Sequence, residues 1–386
     1  MTKNLVVCRD GTSNQFSAAR TNVAKLCYTL VQDPSQRVFY HPGLGTMEPP
    51  GALTGAAIRT TKFLGLAVGY GLTSDIRDAY VFLMNAFEPG DRVYLFGFSR
   101  GAYTARAVTS LLHMYGLIRA GNEPLVPYAT RMMCGVNNLP EHSGERKPSS
   151  RKIAAAENIW SLANDFKKTF STECKPHFVG LWDTVNSVGW FSHPFHAPHT
   201  ANNPDIEVAR HALAIDEHRS FFQPSPWFPR VPLSDPHSGP KDLRQVWFPG
   251  DHSDVGGGYP ENECGLSKGA LKWMICEASA HGLLFEPSRL ARMFGAPGSP
   301  YIAPNPQGIL HNSMASFWPA CKFIPKRVFN PQTKTWPWRV NCFRRREIPP
   351  DALVHDSAFE RGPAYRQYFP ATATIVRSVC DASLGI

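Results

Sequence analysis

Long apolar runs are missing from this 386-residue chain. The longest, residues 63–72, is broken by three glycines and falls far short of the roughly 18 residues that a membrane-spanning helix needs, so no spanning helix is expected. Also missing is a basic, apolar and small-residue succession after Met1, because the apolar residues 5–8 are stopped at once by Arg9 and Asp10. A cleaved signal peptide is therefore not expected. Cysteine occurs nine times, but without C-x-x-C or zinc-ribbon spacing, and no H-E-x-x-H is present. Scattered reduced thiols, no metal and no cofactor are the expectation. Acidic residues are the scarcer charge, 31 against 40 Lys and Arg, leaving a net charge of +9. That balance permits attraction to anionic lipid or to nucleic acid. Because the basic residues are dispersed and no nucleic-acid-binding motif is found, nucleic acid is not expected as a partner. The chain also lacks internal repeats and low-complexity tracts.

What the chain does have is material for a large core. It is 43% apolar and 12% aromatic with only 18% charged residues, a composition that excludes disorder for its bulk. At roughly 150 residues per domain the length allows two or three domains, although α/β domains with inserted lids also run this long. Strand-like runs at residues 5–8, 37–41, 92–98, 177–182 and 244–248 alternate with helical spacing at 22–31, 73–87, 100–117 and 267–281. This alternation predicts an α/β fold with a mostly parallel central sheet and helices on both faces. Residues 92–98 are nearly continuous in apolar side chains and belong in the middle of that sheet. The Gly-, Ala- and Thr-rich residues 51–71 read as a loop or loosely packed lid, and residues 124–152, rich in turn formers, as a surface excursion. From 287 to 350 the pattern dissolves into Pro, aromatic and basic residues, as a twisted strand pair or an insertion beside the site would.

The strongest chemical signal is Gly-Phe-Ser-Arg-Gly at residues 97–101, a G-x-S-x-G directly after a buried strand and directly before a helical pattern. In that context the serine, Ser99, sits on a sharp strand-to-helix turn, and the positions two before and two after must be small. The helix then turns its first N–H groups and its positive end toward the place where an oxyanion would develop. Arg100 would supply one oxyanion N–H, and the polar turn after the first strand, at Gly11 and Thr12, another. A serine hydroxyl needs a base and an orienting acid, and in such sheets they follow in the order Ser, acid, His. Asp254, in the loop VWFPGDHSDVGGGY, is the favoured acid, with Asp183 in VGLWDTV as the alternative and Asp251 behind it. The order rule then favours His355 as base. His252 is the rival if the acid is Asp183. A metal reading, with Asp10, Asp183, His252 and Asp254 converging, has no supporting ligand spacing.

Several segments occur together in order: DGTSN (10–14), TNVAKL (21–26), HPGLGT (41–46), GFSRGAYTAR (97–106), VGLWDTV (179–185), ALAIDEHR (212–219), VWFPGDHSDVGGGY (246–259) and HDSAFERG (355–362). Together they resemble an α/β-hydrolase-like family, long known only as a domain of unknown function, whose best-described members are phospholipase effectors of bacterial type VI secretion. The resemblance spans nearly the whole chain. It implies a Ser-Asp-His ester hydrolase in which Ser99 matches the nucleophile, Asp254 the acid and His355 the base, with Asp251 a departure where an apolar residue is expected. The resulting expectation is one α/β-hydrolase-like catalytic domain over 1–386, with an inserted cap or lid at about 120–170 and 287–350. It would cleave the acyl ester of a phospholipid without a cofactor and contact an anionic membrane peripherally. It would be cytoplasmic or exported through a type VI secretion system. The alternatives are a hydrolase of a soluble ester, thioester or peptide, and a non-enzymatic module whose basic residues 322–346 contact anionic lipid or nucleic acid.

Overall fold

The computed structural model describes residues 2–11, 20–43, 68–135, 150–185, 189–190, 193–194, 197–219, 222–227, 239–314, 326–327, 338–339 and 345–386. Its centre is an eight-stranded sheet of β1 (Asn4–Arg9), β2 (Gln36–His41), β3 (Arg92–Phe98), β4 (Pro176–Trp182), β5 (Val208–Ala214), β6 (Asp242–Phe248), β7 (Leu353–His355) and β8 (Thr374–Val376). The order across the sheet is β8-β7-β6-β5-β4-β3-β1-β2. Every neighbouring pair in it is parallel, which requires crossover connections and sheet faces covered by helices. The helices are α1 (Asn22–Thr29), α2 (Val68–Ala86), α3 (Arg100–Tyr115), α4 (Val126–Gly135), α5 (Ser150–Phe170), α6 (His252–Gly256), α7 (Gly265–Ala280), α8 (Pro287–Met293) and α9 (Asp356–Glu360).

The period-two alternation of the strands divides the core between two layers. Leu5, Val7, Val93 and Leu95 face one way and pack with Ile76 and Tyr80 of α2, Val108 and Leu111 of α3, and Val126 and Met133 of α4. Val6, Cys8, Tyr94 and Phe96 face the other way, against Val23 and Leu26 of α1 and Trp273 and Met274 of α7. The expected strand at 92–98 is interior, between β1 and β4. The chain passes from β1 to the edge strand β2 and then crosses back to β3 on the opposite side of β1. That reversal opens a crevice at the carboxyl ends of β1 and β3, which is where ligands bind in sheets of this kind.

Three expectations are corrected. Of the expected surface excursion at 124–152, residues 126–135 and 150–152 are helical, in α4 and at the start of α5; in α4, Val126, Ala129, Thr130 and Met133 repeat at helical spacing and are buried together. Pro287 begins a helix instead of ending regular structure, since proline at the first helical position has no N–H to lose. Cys276 in α7 and Cys380 are joined in a disulfide with their Cα atoms 4.6 Å apart, where reduced thiols were expected; their separation of 104 residues hides the pair from any spacing rule. Between 315 and 344 the described residues form a short antiparallel ladder, Lys326–Arg327 with Trp338–Arg339. The lid read at 51–71 lies, up to residue 67, outside the described residues.

Candidate active site

Ser99 follows β3 directly and has φ 58° and ψ −121°, a left-handed backbone that non-glycine residues adopt only at a cost of about 1–3 kcal/mol. Its N–H donates to the Trp182 carbonyl at 3.0 Å, which ties the turn to β4. Its hydroxyl does not cap α3, so it is left for other work. The flanking glycines are a steric requirement. A Cβ on Gly101 would lie 2.3 Å from the Arg9 carbonyl oxygen, and one on Gly97 would lie 2.6 Å from Ala102 Cα. The amides of Arg100, Gly101 and Ala102 precede the first intrahelical acceptance, Tyr103 N–H to the Ser99 carbonyl at 3.3 Å. They form the positive end of α3.

β3 and β4 pair with Phe98 opposite Trp182, so Ser99 and Asp183 leave adjacent strands side by side. Asp183 is also held at positive φ, 40°, and is fully buried. Its Oδ1 accepts from Ala214 N–H at 3.1 Å and Arg346 Nη1 at 2.6 Å. Its Oδ2 accepts from Arg346 Nη2 at 3.0 Å and pairs with His252 Nδ1 at 2.6 Å. Burial opposes ionisation, but Arg346 and His252 outweigh it and hold the carboxyl well below the usual range. An ionised carboxylate only accepts hydrogen bonds, so the proton between the two groups sits on Nδ1 and leaves Nε2 as the basic nitrogen.

His252 opens the short helix α6, whose start is fixed by a capping box. The Asp251 carboxylate accepts from the Ser253 and Asp254 amides, both at 2.9 Å, and Asp254 Oδ2 accepts from the Asp251 N–H at 3.1 Å. The imidazole lies 4.6 Å from the Phe98 ring and 4.9 Å from that of Phe222, centroid to centroid. A Cβ on Gly256 would fall 1.9 Å from the Phe98 ring, so only glycine lets α6 press this closely on the residue before Ser99. Burial lowers the His252 pKa below the ordinary value, with Asp183 opposing the shift. The ring is therefore neutral at pH 7.

The other expected site residues lie elsewhere. Asp254 pairs with His311 Nδ1 at 2.7 Å and serves the capping box, not His355. Burial, with Asp254 beside it, pushes the Asp251 carboxyl up to about 7, and Tyr259 donates to it at 2.7 Å. His355 is bonded to Ser357 Oγ at 2.8 Å and Ser378 Oγ at 3.0 Å and stacks on Phe248; it caps α9 at the end of β7. The Gly11 N–H, expected in the oxyanion hole, donates to the Asp10 carboxylate at 2.7 Å. Thr12 lies outside the described residues. Asp10 also accepts from Thr21 Oγ1 at 2.6 Å and Tyr40 Oη at 2.9 Å, which braces the end of β1. Among the described residues no three His, Cys, Asp or Glu side chains are grouped as a metal ion requires. Sequence reasoning missed Arg346, read as part of a lipid-facing basic region but buried against Asp183. It also missed the D-x-x-D capping signature in front of a short helix, which residues 251–254 carry.

Fold and site together define an α/β protein of hydrolase-like form, with a strained serine at a strand-to-helix elbow. The chain belongs to the family described as T6SS, phospholipase effector Tle1-like, catalytic domain, whose model matches residues 3–277. A curated relative, uncharacterized protein YEL023C of Saccharomyces cerevisiae (strain ATCC 204508 / S288c), is 27% identical over 412 aligned residues, covering 75% of this chain and 58% of that protein. A solved structure, the Tle1 effector bound to the VgrG spike from the Type 6 secretion system, aligns at a TM-score of 0.34 and 17% identity over 67% of this chain and 51% of that one. The chain thus spans a little over half the length of each of these two.

Proposed function

We propose that the chain is a serine ester hydrolase acting on phospholipid acyl esters, with Ser99 as nucleophile, His252 as general base and Asp183 as the orienting acid. The observation that carries this reading is the buried 2.6 Å pair between Asp183 and His252, built on the strand beside that of Ser99 with the imidazole against Phe98. The order Ser, Asp, His is kept, while Asp254 and His355 are reassigned to capping roles. The phospholipid part rests on the family's description. One catalytic domain over residues 1–386, with the inserted helices α4 and α5, accounts for the spread of these residues along the chain.

In this mechanism His252 Nε2 takes the Ser99 hydroxyl proton as Oγ bonds to the ester carbonyl carbon. Asp183 holds the ring by Nδ1 and stabilises the imidazolium. The Arg100 amide and the other free amides at the start of α3 receive the oxyanion. Collapse breaks the bond to the alcohol, which leaves with the proton returned by His252. Water, deprotonated by the same nitrogen, then releases the acyl group. Peripheral contact with an anionic membrane and export by a type VI route belong to the same proposal. Reaction of the purified protein with a serine-directed fluorophosphonate, followed by peptide mass mapping, tests it. Label at Ser99, together with loss of phospholipid turnover by a factor on the order of 10⁴ or more in Ser99→Ala, is the expected result. Full activity in Ser99→Ala ends the proposal.

A further inference from the structure

The buried arginines of this protein have partners. Arg9 pairs with Asp75 at 2.7 Å, Arg210 with Asp242 and Glu277 at 2.6 Å each and Arg346 with Asp183 at 2.6 Å. Arg106 donates to the carbonyls of Thr200, Ser225 and Pro226. Arg100 differs. Its guanidinium has no hydrogen-bond or ion-pair partner among the described residues, and burial alone, with no acid opposing it, lowers its pKa to about 10. The residue keeps part of its surface open, so a ligand can reach it. It stands at the first position of α3, one residue and about 3.8 Å of backbone from Ser99.

A cation held partly out of water without an anion is unfavourable by itself, and beside a nucleophile that cost is recovered when a substrate supplies the anion. A phosphodiester is a permanent monoanion at pH 7 and, in a glycerophospholipid, lies only a few bonds from the scissile ester. A guanidinium matches its two oxygens with parallel N–H donors, and the amide end of α3 adds its own positive potential. We propose that the Arg100 guanidinium binds the phosphodiester of the substrate, so that the site selects phosphate-bearing esters over neutral esters with the same acyl chains. This rests on the reading of Ser99 as nucleophile.

The test compares kcat/KM of wild type, Arg100→Lys and Arg100→Gln on phosphatidylglycerol and on the matching diacylglycerol in identical detergent micelles. The ratio of the two substrates is expected to fall by roughly 10- to 100-fold in Arg100→Gln, with Arg100→Lys in between. In wild type, soluble glycerophosphoglycerol is expected to inhibit diacylglycerol hydrolysis competitively, a measurement that does not depend on any variant folding. An unchanged ratio, or inhibition by inorganic phosphate but not by glycerophosphoglycerol, overturns the assignment. A wild type that turns over neither ester and takes no fluorophosphonate label at Ser99 overturns the hydrolase reading and the assignment with it.

Discussion

Asp183 and His355 illustrate how one residue's surroundings decide its role. Both are buried, but Asp183 is kept ionised by Arg346 and placed on the His252 Nδ1, whereas both ring nitrogens of His355 are engaged by serine hydroxyls. Replacement of Asp183 by Asn removes the acceptor that fixes the His252 tautomer, and kcat is expected to fall on the order of 10⁴-fold. His252→Ala should cost at least as much, whereas His355→Gln should retain turnover and lose about 1 kcal/mol of stability with the α9 cap. Loss of turnover in His355→Gln with retention in His252→Ala, measured on one phospholipid, would reverse the two roles. The base must be neutral to act, and burial places the His252 pKa below the ordinary 6.5. The acid limb of kcat/KM is therefore expected to have its midpoint below pH 6.5. A midpoint above that value would show that the titrating base is not this buried imidazole.

Elements were legible in the sequence where they are long and buried, and illegible where a short motif has two meanings. The apolar run at 92–98 and the G-x-S-x-G after it announce β3, the elbow and α3, because a central parallel strand is apolar on both faces. D-H-S-D at 251–254 has, by sequence, the look of a loop carrying a catalytic acid. The same letters form a capping box, and the histidine between the two aspartates is the residue that reaches Asp183. β7 and β8, three residues each, are too short for alternation to register. Chain order favours His355 as base, but order cannot distinguish a base from a cap at the end of a late strand. At this element the structure makes a prediction of its own. Burial lowers the His355 pKa to about 4 from 6.5, so the folded state favours the neutral ring. Its contribution to stability is fully present above pH 6.5 and is lost as pH falls through about 4, because in that interval the unfolded chain binds the proton more readily. Thermal midpoints of wild type and His355→Gln should converge and then cross as pH falls from 6.5 towards 4, the variant being the less stable only at the upper end. Parallel curves would show that His355 does not titrate with folding.

On the scale of the whole molecule, the topology explains why residues as far apart as Asp183, His252 and Arg346 meet beside the turn that carries Ser99. β3 and β4 are neighbours and each leads into a residue of the proposed triad, β6 leads into α6, and the chain returns through Arg346 before β7. A parallel sheet gathers the ends of all its strands on one edge, so a site there draws on the whole chain. Net charge has its own consequence at this scale. At +9 the protein is expected to be attracted as a body to an anionic surface, and such attraction is screened as the Debye length shrinks from about 10 Å at 0.1 M salt to about 3 Å at 1 M. Cosedimentation with phosphatidylglycerol-containing vesicles is expected to weaken steeply over this range, and vesicles of neutral lipid alone should retain little protein at any salt concentration. Ser99→Ala should bind as wild type does, because the attraction belongs to the net charge and not to catalysis. Vesicle binding that is indifferent to salt would assign membrane contact to apolar surface and leave the charge a matter of solubility.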